Sequence, residues 1–250
     1  MKQIIIPIDF SECSIGTAQY TIRIFAGHPD VNMVLYYMVK ERDEEEAARL
    51  DFQSVKYGLD PELASRISTF VDFGTNYPEA LCRYAREVSA SMIVTCLSHN
   101  THKIVEMNPC PVMILPLNVD FREIRTVALT SDFHTVDVHT PVESIRRVLE
   151  IFRPTLHIVN VNSDYYVSLS EESMAQKEKL AEMFREYEPQ FDFLSLYDFQ
   201  DSIHQFVEDN DIDLVITIPR HHSFFENLFR KHHTEEMVLH SSVPVVAAHE

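Results

Sequence analysis

The chain has 250 residues, 45% of them apolar and 24% charged, a balance that favours neither disorder nor a membrane class. No apolar run reaches the roughly 18 residues that span a bilayer, and the run after Lys2 meets Asp9 before a secretory core forms, so a cytoplasmic location with no membrane partner is expected. The net charge of −18 repels phosphate backbones and removes nucleic acid as a partner.

In chain order, the first half predicts strands over 3–8, 32–39, 67–72, 91–95 and 112–116, rich in Ile, Val, Phe and Tyr. Helices over 14–26, 43–57 and 77–89 separate them, the last with Ala80, Tyr84 and Val88 on one face. The acidic block Glu41 to Glu46 reads as a solvated helix start. After a linker over 116–123, strands are predicted over 125–130, 155–161, 191–197, 213–218 and 243–248. Helices are predicted over 139–152, 170–187, 201–209 and 223–240, the last carrying Phe224, Phe225, Leu228 and Phe229 as an apolar face. Runs such as MVLYYMV and LVITI, with little polar alternation, suit strands covered on both faces. Alternating strands and helices imply right-handed crossovers and a parallel sheet. The fold class expected is α/β, two tandem doubly wound parallel-sheet domains of Rossmann-like type, over 1–118 and 119–250. Only four glycines occur, so Pro, Asn and Asp are expected at the turns.

The halves share landmarks in the same order. QIIIPIDFSECS from Gln3 is answered by RTVALTSDFHTVD from Arg125, each placing Asp-Phe after an apolar run. VDFG at Val71 is answered by YDFQ at Tyr197, SMIVT at Ser91 by DLVIT at Asp213, and NPCPVMIL at Asn108 by SSVPVVAA at Ser241. Cys13, Cys82, Cys96 and Cys110 show no CxxC spacing; all four are read as buried thiols, and a disulfide is not expected in a cytosolic chain.

In open parallel sheets ligands sit beyond the carboxyl ends of the strands, where strand order reverses. Asp9 and Asp132 fall at that edge, able to accept hydrogen bonds from a ligand amine or hydroxyl. Equally, each could cap the following helix, a task for which Ser11 and Ser14 compete in the first half.

The segment IIIPIDFSECSIGTAQYTIRIF, the MIVT strand and the terminal CPVMILP resemble the universal stress protein family, once per half. The resemblance implies an adenine nucleotide alpha hydrolase-like sheet, intramolecular pairing of the two halves through the strands at 112–116 and 243–248, and a possible homodimer. Its nucleotide-binding members follow the fourth strand with G-x2-G-x9-G-[ST], whose glycines let backbone N–H groups approach phosphates at a helix N-terminus. Neither half keeps this segment. Sixteen positions separate Thr95 from Pro111 and 27 separate Thr217 from Pro244, so the first copy is truncated there and family-type ATP binding is expected to be lost. In the second copy, aligned on Thr234-Glu235, the glycine positions are held by His221, Phe224 and Lys231 and the final Ser by His232, while Pro219 removes one N–H donor.

The candidate pocket of the second half is therefore Asp132, Pro219, Arg220, His221, His222, Lys231, His232, His233 and Thr234, with Asp9 the weaker candidate of the first. No cofactor is certain. ATP, AMP or another anion is one class of ligand; zinc at His221, His222, His232 and His233 is the other. No HExxH or CxxC pattern supports a metal site, and the bland reading of these histidines is a polar loop, a helix-end cation or a subunit contact. No GxSxG, P-loop or Cys-His pattern supports catalysis. The expectation is a stress-response binding and signalling module rather than an enzyme, with a small-ligand, nucleotide or metal sensor and a nucleotide hydrolase as alternatives.

Overall fold

The computed structural model describes residues 1–41, 44–107, 109–117, 119–131, 133, 135–160, 171–194, 199–219, 229–231, 237–239 and 241–249, the side chains of 171–172, 199–202, 229–231 and 237–239 excepted. Two compact units divide the chain, Met1–Leu117 and Asn118–Glu250.

Unit 1 runs β1 (Lys2–Pro7), α1 (Glu12–Phe25), β2 (Val31–Val39), α2 (Glu45–Lys56), α3 (Pro61–Ser65), β3 (Ile67–Phe73), α4 (Tyr77–Glu87), β4 (Met92–Cys96), α5 (Thr101–Met107) and β5 (Val112–Leu115). Its strands lie in the order β3-β2-β1-β4-β5, each pair parallel. Uninterrupted Ile4, Ile5 and Ile6 make β1 a central strand, buried together with Met33, Leu35, Met92, Ile93 and Val94 of its neighbours. α1 packs against β1, β2 and β4, and α2 against β2 and β3. Ser11 caps α1 by accepting the Ser14 N–H, and Glu12 and Arg23 sit at the ends that the helix dipole favours. Beyond the other end of α1 the Arg66 guanidinium donates to the carbonyls of Phe25 and Ala26 at the helix terminus and of His28 and Val31 in the turn and strand that follow, tying the α1–β2 connection together.

Unit 2 runs β6 (Thr126–Ser131), α6 (Val136–His139), α7 (Val142–Phe152), β7 (Thr155–Asn160), α8 (Glu171–Met183), β8 (Gln190–Phe193), α9 (Phe199–Asp209), β9 (Leu214–Thr217), β10 (Phe229–Lys231), β11 (Met237–Leu239) and β12 (Val245–Ala247). Its parallel strands follow β12-β9-β6-β7-β8, the same order by position as in unit 1. Both units are thus doubly wound parallel sheets. The strand openings match in detail. Ser91 Oγ accepts the Gln3 N–H at 3.3 Å, and at the equivalent position Asp213 accepts the Arg125 and Thr126 N–H groups at 2.9 and 3.0 Å.

Two sequence expectations are corrected. The helix expected over 139–152 is α7, which starts only after Pro141 because proline restricts the residue before it, and the short α6 ahead of it was not expected. More consequentially, the described part of the helix expected over 223–240 is a two-stranded antiparallel ribbon, β10 with β11, in which Phe229 stands opposite Leu239 and Lys231 opposite Met237. Short apolar runs fit either period, and cross-strand pairing decides here.

With glycine scarce, the turns use side chains in the left-handed region instead of relying on Pro, Asn and Asp alone. Phe10 (φ 61°) and Phe133 (φ 57°) are the phenylalanines of the two Asp-Phe landmarks, and Ser89, Arg153, Glu188 and Asp211 sit just past helical segments. Each costs on the order of 1 kcal/mol relative to a right-handed residue, so neighbouring contacts must hold it. Phe10 does so edge-to-face on Tyr37 and Phe52, and Phe133 on Phe191 and Phe193.

Candidate functional site

In each unit the strand order reverses beside the first strand, between β1 and β4 in unit 1 and between β6 and β9 in unit 2. The crevice at the carboxyl ends of those strands is where this sheet type takes ligands.

In unit 1 the β1–α1 turn is closed by its own hydroxyls. The Asp9 carboxylate, exposed to solvent, accepts the Ser11 N–H at 3.0 Å and the Ser11 hydroxyl at 2.5 Å. The Asp9 N–H donates to Ser14 Oγ at 3.2 Å, and Ser14 Oγ donates to the Ser11 carbonyl at 3.1 Å. Partial burial pushes the Asp9 carboxyl up, but hydrogen bonds from Ser11 and Ser14 outweigh it and hold the group below its usual range. Asp9 therefore organises the turn that Ser11 caps.

The β4–α5 turn across the crevice is similarly self-satisfied. Ser98 N–H donates to Thr101 Oγ1 at 2.9 Å, Asn100 N–H to Ser98 Oγ at 3.3 Å and Thr101 N–H to the Ser98 carbonyl at 3.1 Å. Thr101 Oγ1 donates in turn to the Cys96 carbonyl at 3.2 Å. Backbone donors of the kind that hold phosphate at such turns are thus engaged locally.

Between these turns Cys13 and Cys96 form a disulfide, with Cα atoms 6.3 Å apart. This corrects the expectation of four thiols. The two residues are 83 apart in sequence, and only the adjacency of β1 and β4 brings the first turn of α1 to the end of β4. Cys82 and Cys110 are buried thiols, as expected, and burial pushes Cys82 up to about 11.

Unit 2 shares the frame with other side chains. Its positions equivalent to Cys13 and Cys96 are Val136 and Ile218, both buried. Ser131 Oγ accepts the Phe133 N–H at 3.2 Å, and Gln176 of α8 accepts the Val136 N–H at 3.0 Å. Asp137 pairs with Lys179, whose hydrogen bond holds the carboxyl below its usual range. Thr217, the last residue of β9, is fully buried, and its hydroxyl has no hydrogen-bond partner among the described residues. Its unit 1 counterpart, Thr95, donates to the Cys96 carbonyl at 3.1 Å.

Pro219 lies half-buried just beyond β9, and Lys231 lies in β10. Asp132, Arg220, His221, His222, His232, His233 and Thr234 lie outside the described residues, and with them the zinc reading. Among the described residues no three His, Cys, Asp or Glu side chains converge as a metal site, and no helix is long and apolar enough to cross a membrane.

Two polar clusters went unread in the sequence. His157 Nδ1 lies 2.8 Å from Asp192 Oδ2 with its ring edge-on to Phe206, well back from the carboxyl end of β7. In unit 1, buried Tyr36 donates to Asp72 at 2.9 Å, and Arg83 pairs with the same carboxylate oxygen at 3.0 Å. Burial and then the Asp72 hydrogen bond push the Tyr36 phenol far above its usual range. Both join residues 35 or more apart, which no local pattern reveals.

No protein-family model matches the sequence, and no curated protein matches it. Solved structures do match the fold. A universal stress protein from Archaeoglobus fulgidus DSM 4304 aligns at a TM-score of 0.59 with 13% identity, covering 98% of this chain and 95% of that one. A protein from Pseudomonas aeruginosa UCBPP-PA14, assigned provisionally to the universal stress proteins, aligns at 0.57 with 14% identity over 99% of this chain and 94% of its own. A functionally unknown protein from Pseudomonas aeruginosa PAO1 gives 0.57 and 13% over 99% and 92%. The chain has the fold of the universal stress proteins.

Proposed function

We propose that the chain is a tandem universal stress protein, formed by duplication, that serves stress-response binding and signalling rather than catalysis. In this reading family-type ATP binding is lost in unit 1 and degenerate in unit 2, and unit 2 carries the ligand-responsive crevice. The contrast between Thr95 and Thr217 carries the proposal: the first hydroxyl is hydrogen-bonded, while the second is buried without a partner among the described residues. An unsatisfied buried hydroxyl costs about 1–3 kcal/mol, which a polar ligand group at the end of β9 would recover. The pocket proposed around it is Asp132, Pro219, Arg220, His221, His222, Lys231, His232, His233 and Thr234, suited by Arg220, Lys231 and the histidines to a small anion or nucleotide.

Calorimetry and thermal shift with ATP, AMP and zinc test this on the whole chain. The expected result is saturable binding of a nucleotide that Thr217→Val weakens; no heat and no shift for any of the three overturns it. Incubation with ATP followed by chromatography should yield neither ADP nor AMP, and steady turnover would favour a hydrolase instead. The reading also includes pairing of the two halves with each other and self-association of the chain, for which sedimentation should report a dimer.

A further inference from the structure

Two half-buried cysteines meet at the crevice of unit 1, and neither belongs to the ligand reading of unit 2. Cys13 lies in the first turn of α1, two residues past the Ser11 cap, and Cys96 ends β4. Their bond joins the two turns that flank the strand-order reversal. We propose that Cys13 and Cys96 are a reversible thiol–disulfide switch, oxidised by low-molecular-weight disulfides, that opens and closes the unit 1 crevice.

Placement supports the chemistry. The amino end of a helix favours negative charge, so the sulfur anion of Cys13 is the one the fold stabilises. It attacks one sulfur of the small disulfide, expelling one thiolate and forming a mixed disulfide. Cys96 then gives its proton to solvent, attacks the Cys13 sulfur and expels the second thiolate. Two protein thiols lose two electrons, and one small disulfide becomes two thiols. A dithiol reductant runs the sequence backwards. Cys82 and Cys110 do not compete, because both are fully or nearly buried and burial holds the Cys82 thiol protonated.

The mechanical consequence follows from what each sulfur is attached to. On one side is the Asp9–Ser11–Ser14 turn, on the other the Ser98–Thr101 turn. Oxidised, the two are fixed to one another across the crevice. Reduced, each keeps its own hydroxyl network but no covalent tie. The inference is independent of any ligand in unit 2 and stands or falls on thiol chemistry alone.

The whole folded chain is treated with dithiothreitol, then with glutathione disulfide, and sampled by iodoacetamide labelling, peptide mass spectrometry and hydrogen exchange. Under native conditions dithiothreitol should make Cys13 and Cys96 alkylatable while Cys82 and Cys110 stay unlabelled. Glutathione disulfide should restore the bond. Reduction should speed exchange of amides over 11–15 and 98–101 about tenfold and leave the strand amides of unit 2 unchanged. In Cys96→Ser, glutathione disulfide should leave a mixed disulfide trapped on Cys13. A bond that yields to dithiothreitol only when the chain unfolds, or thiols that do not rejoin, would overturn the switch. So would equal exchange in the two states. The wild-type measurements decide the matter even where the variant fails to fold.

Discussion

The two crevices share a backbone and differ in what fills it. Each lies beside an Asp-Phe landmark whose phenylalanine is left-handed and held by aromatic neighbours. Unit 1 closes its crevice with a cystine and two rings of serine and threonine hydroxyls. Unit 2 has buried Val136 and Ile218 in place of the cysteines, borrows Gln176 from α8 to cap α6, and leaves the Thr217 hydroxyl without a partner among the described residues. Repetition fixes the frame, and a handful of side chains decides what fills each crevice.

The largest expected effect breaks the seal. A cross-link closing a loop of sequence separation 83 contributes about 4–5 kcal/mol on the chain-entropy model, so reducing it should lower the urea midpoint of unit 1 and leave that of unit 2 in place. Next come the landmark phenylalanines. Phe133→Ala, at a fully buried site, should cost about 3–5 kcal/mol, and Phe10→Ala, at a half-buried one, about 2, in the same denaturation experiment. A smaller pair of changes should have opposite signs. Thr217→Val should stabilise the ligand-free chain by about 1 kcal/mol by removing an unpaired hydroxyl, while Thr95→Val, which breaks a hydrogen bond, should destabilise it by a similar amount. Smallest is the contribution of Asp9. Its folded carboxyl titrates below its unfolded value, so its stabilisation is present above about pH 4 and lost as pH falls through the folded value. Asp9→Asn should flatten that part of the acid-denaturation profile and nothing else.

The sheets were legible because a central parallel strand must be apolar on both faces, as Ile4–Ile6 and Leu214–Ile216 are. Their ends were legible too: the helix expected over 14–26 is Glu12–Phe25, and that over 77–89 is Tyr77–Glu87. Pairings made by topology were not. Cys13 meets Cys96, Arg66 reaches the end of α1 and His157 finds Asp192 only after β1, β4, β7 and β8 are assembled. The ribbon of β10 and β11 escaped for a different reason: apolar spacing near Phe229 fits a helical face as well as a strand. Phe10 and Phe133 could be located as landmarks but not recognised as left-handed, since a bulky aromatic residue rarely adopts that conformation.

The scarcity of glycine leaves this backbone with unused thermal headroom. Ser89, Arg153, Glu188 and Asp211 occupy left-handed positions just past helical segments, where glycine is the usual occupant. Glycine at each would relieve about 0.5–1 kcal/mol of conformational cost, partly offset by the freer unfolded chain. These sites lie away from both crevices, so combining the four offers a route to a hardier protein with its chemistry untouched. A lineage adapting to heat would find the same positions open to it.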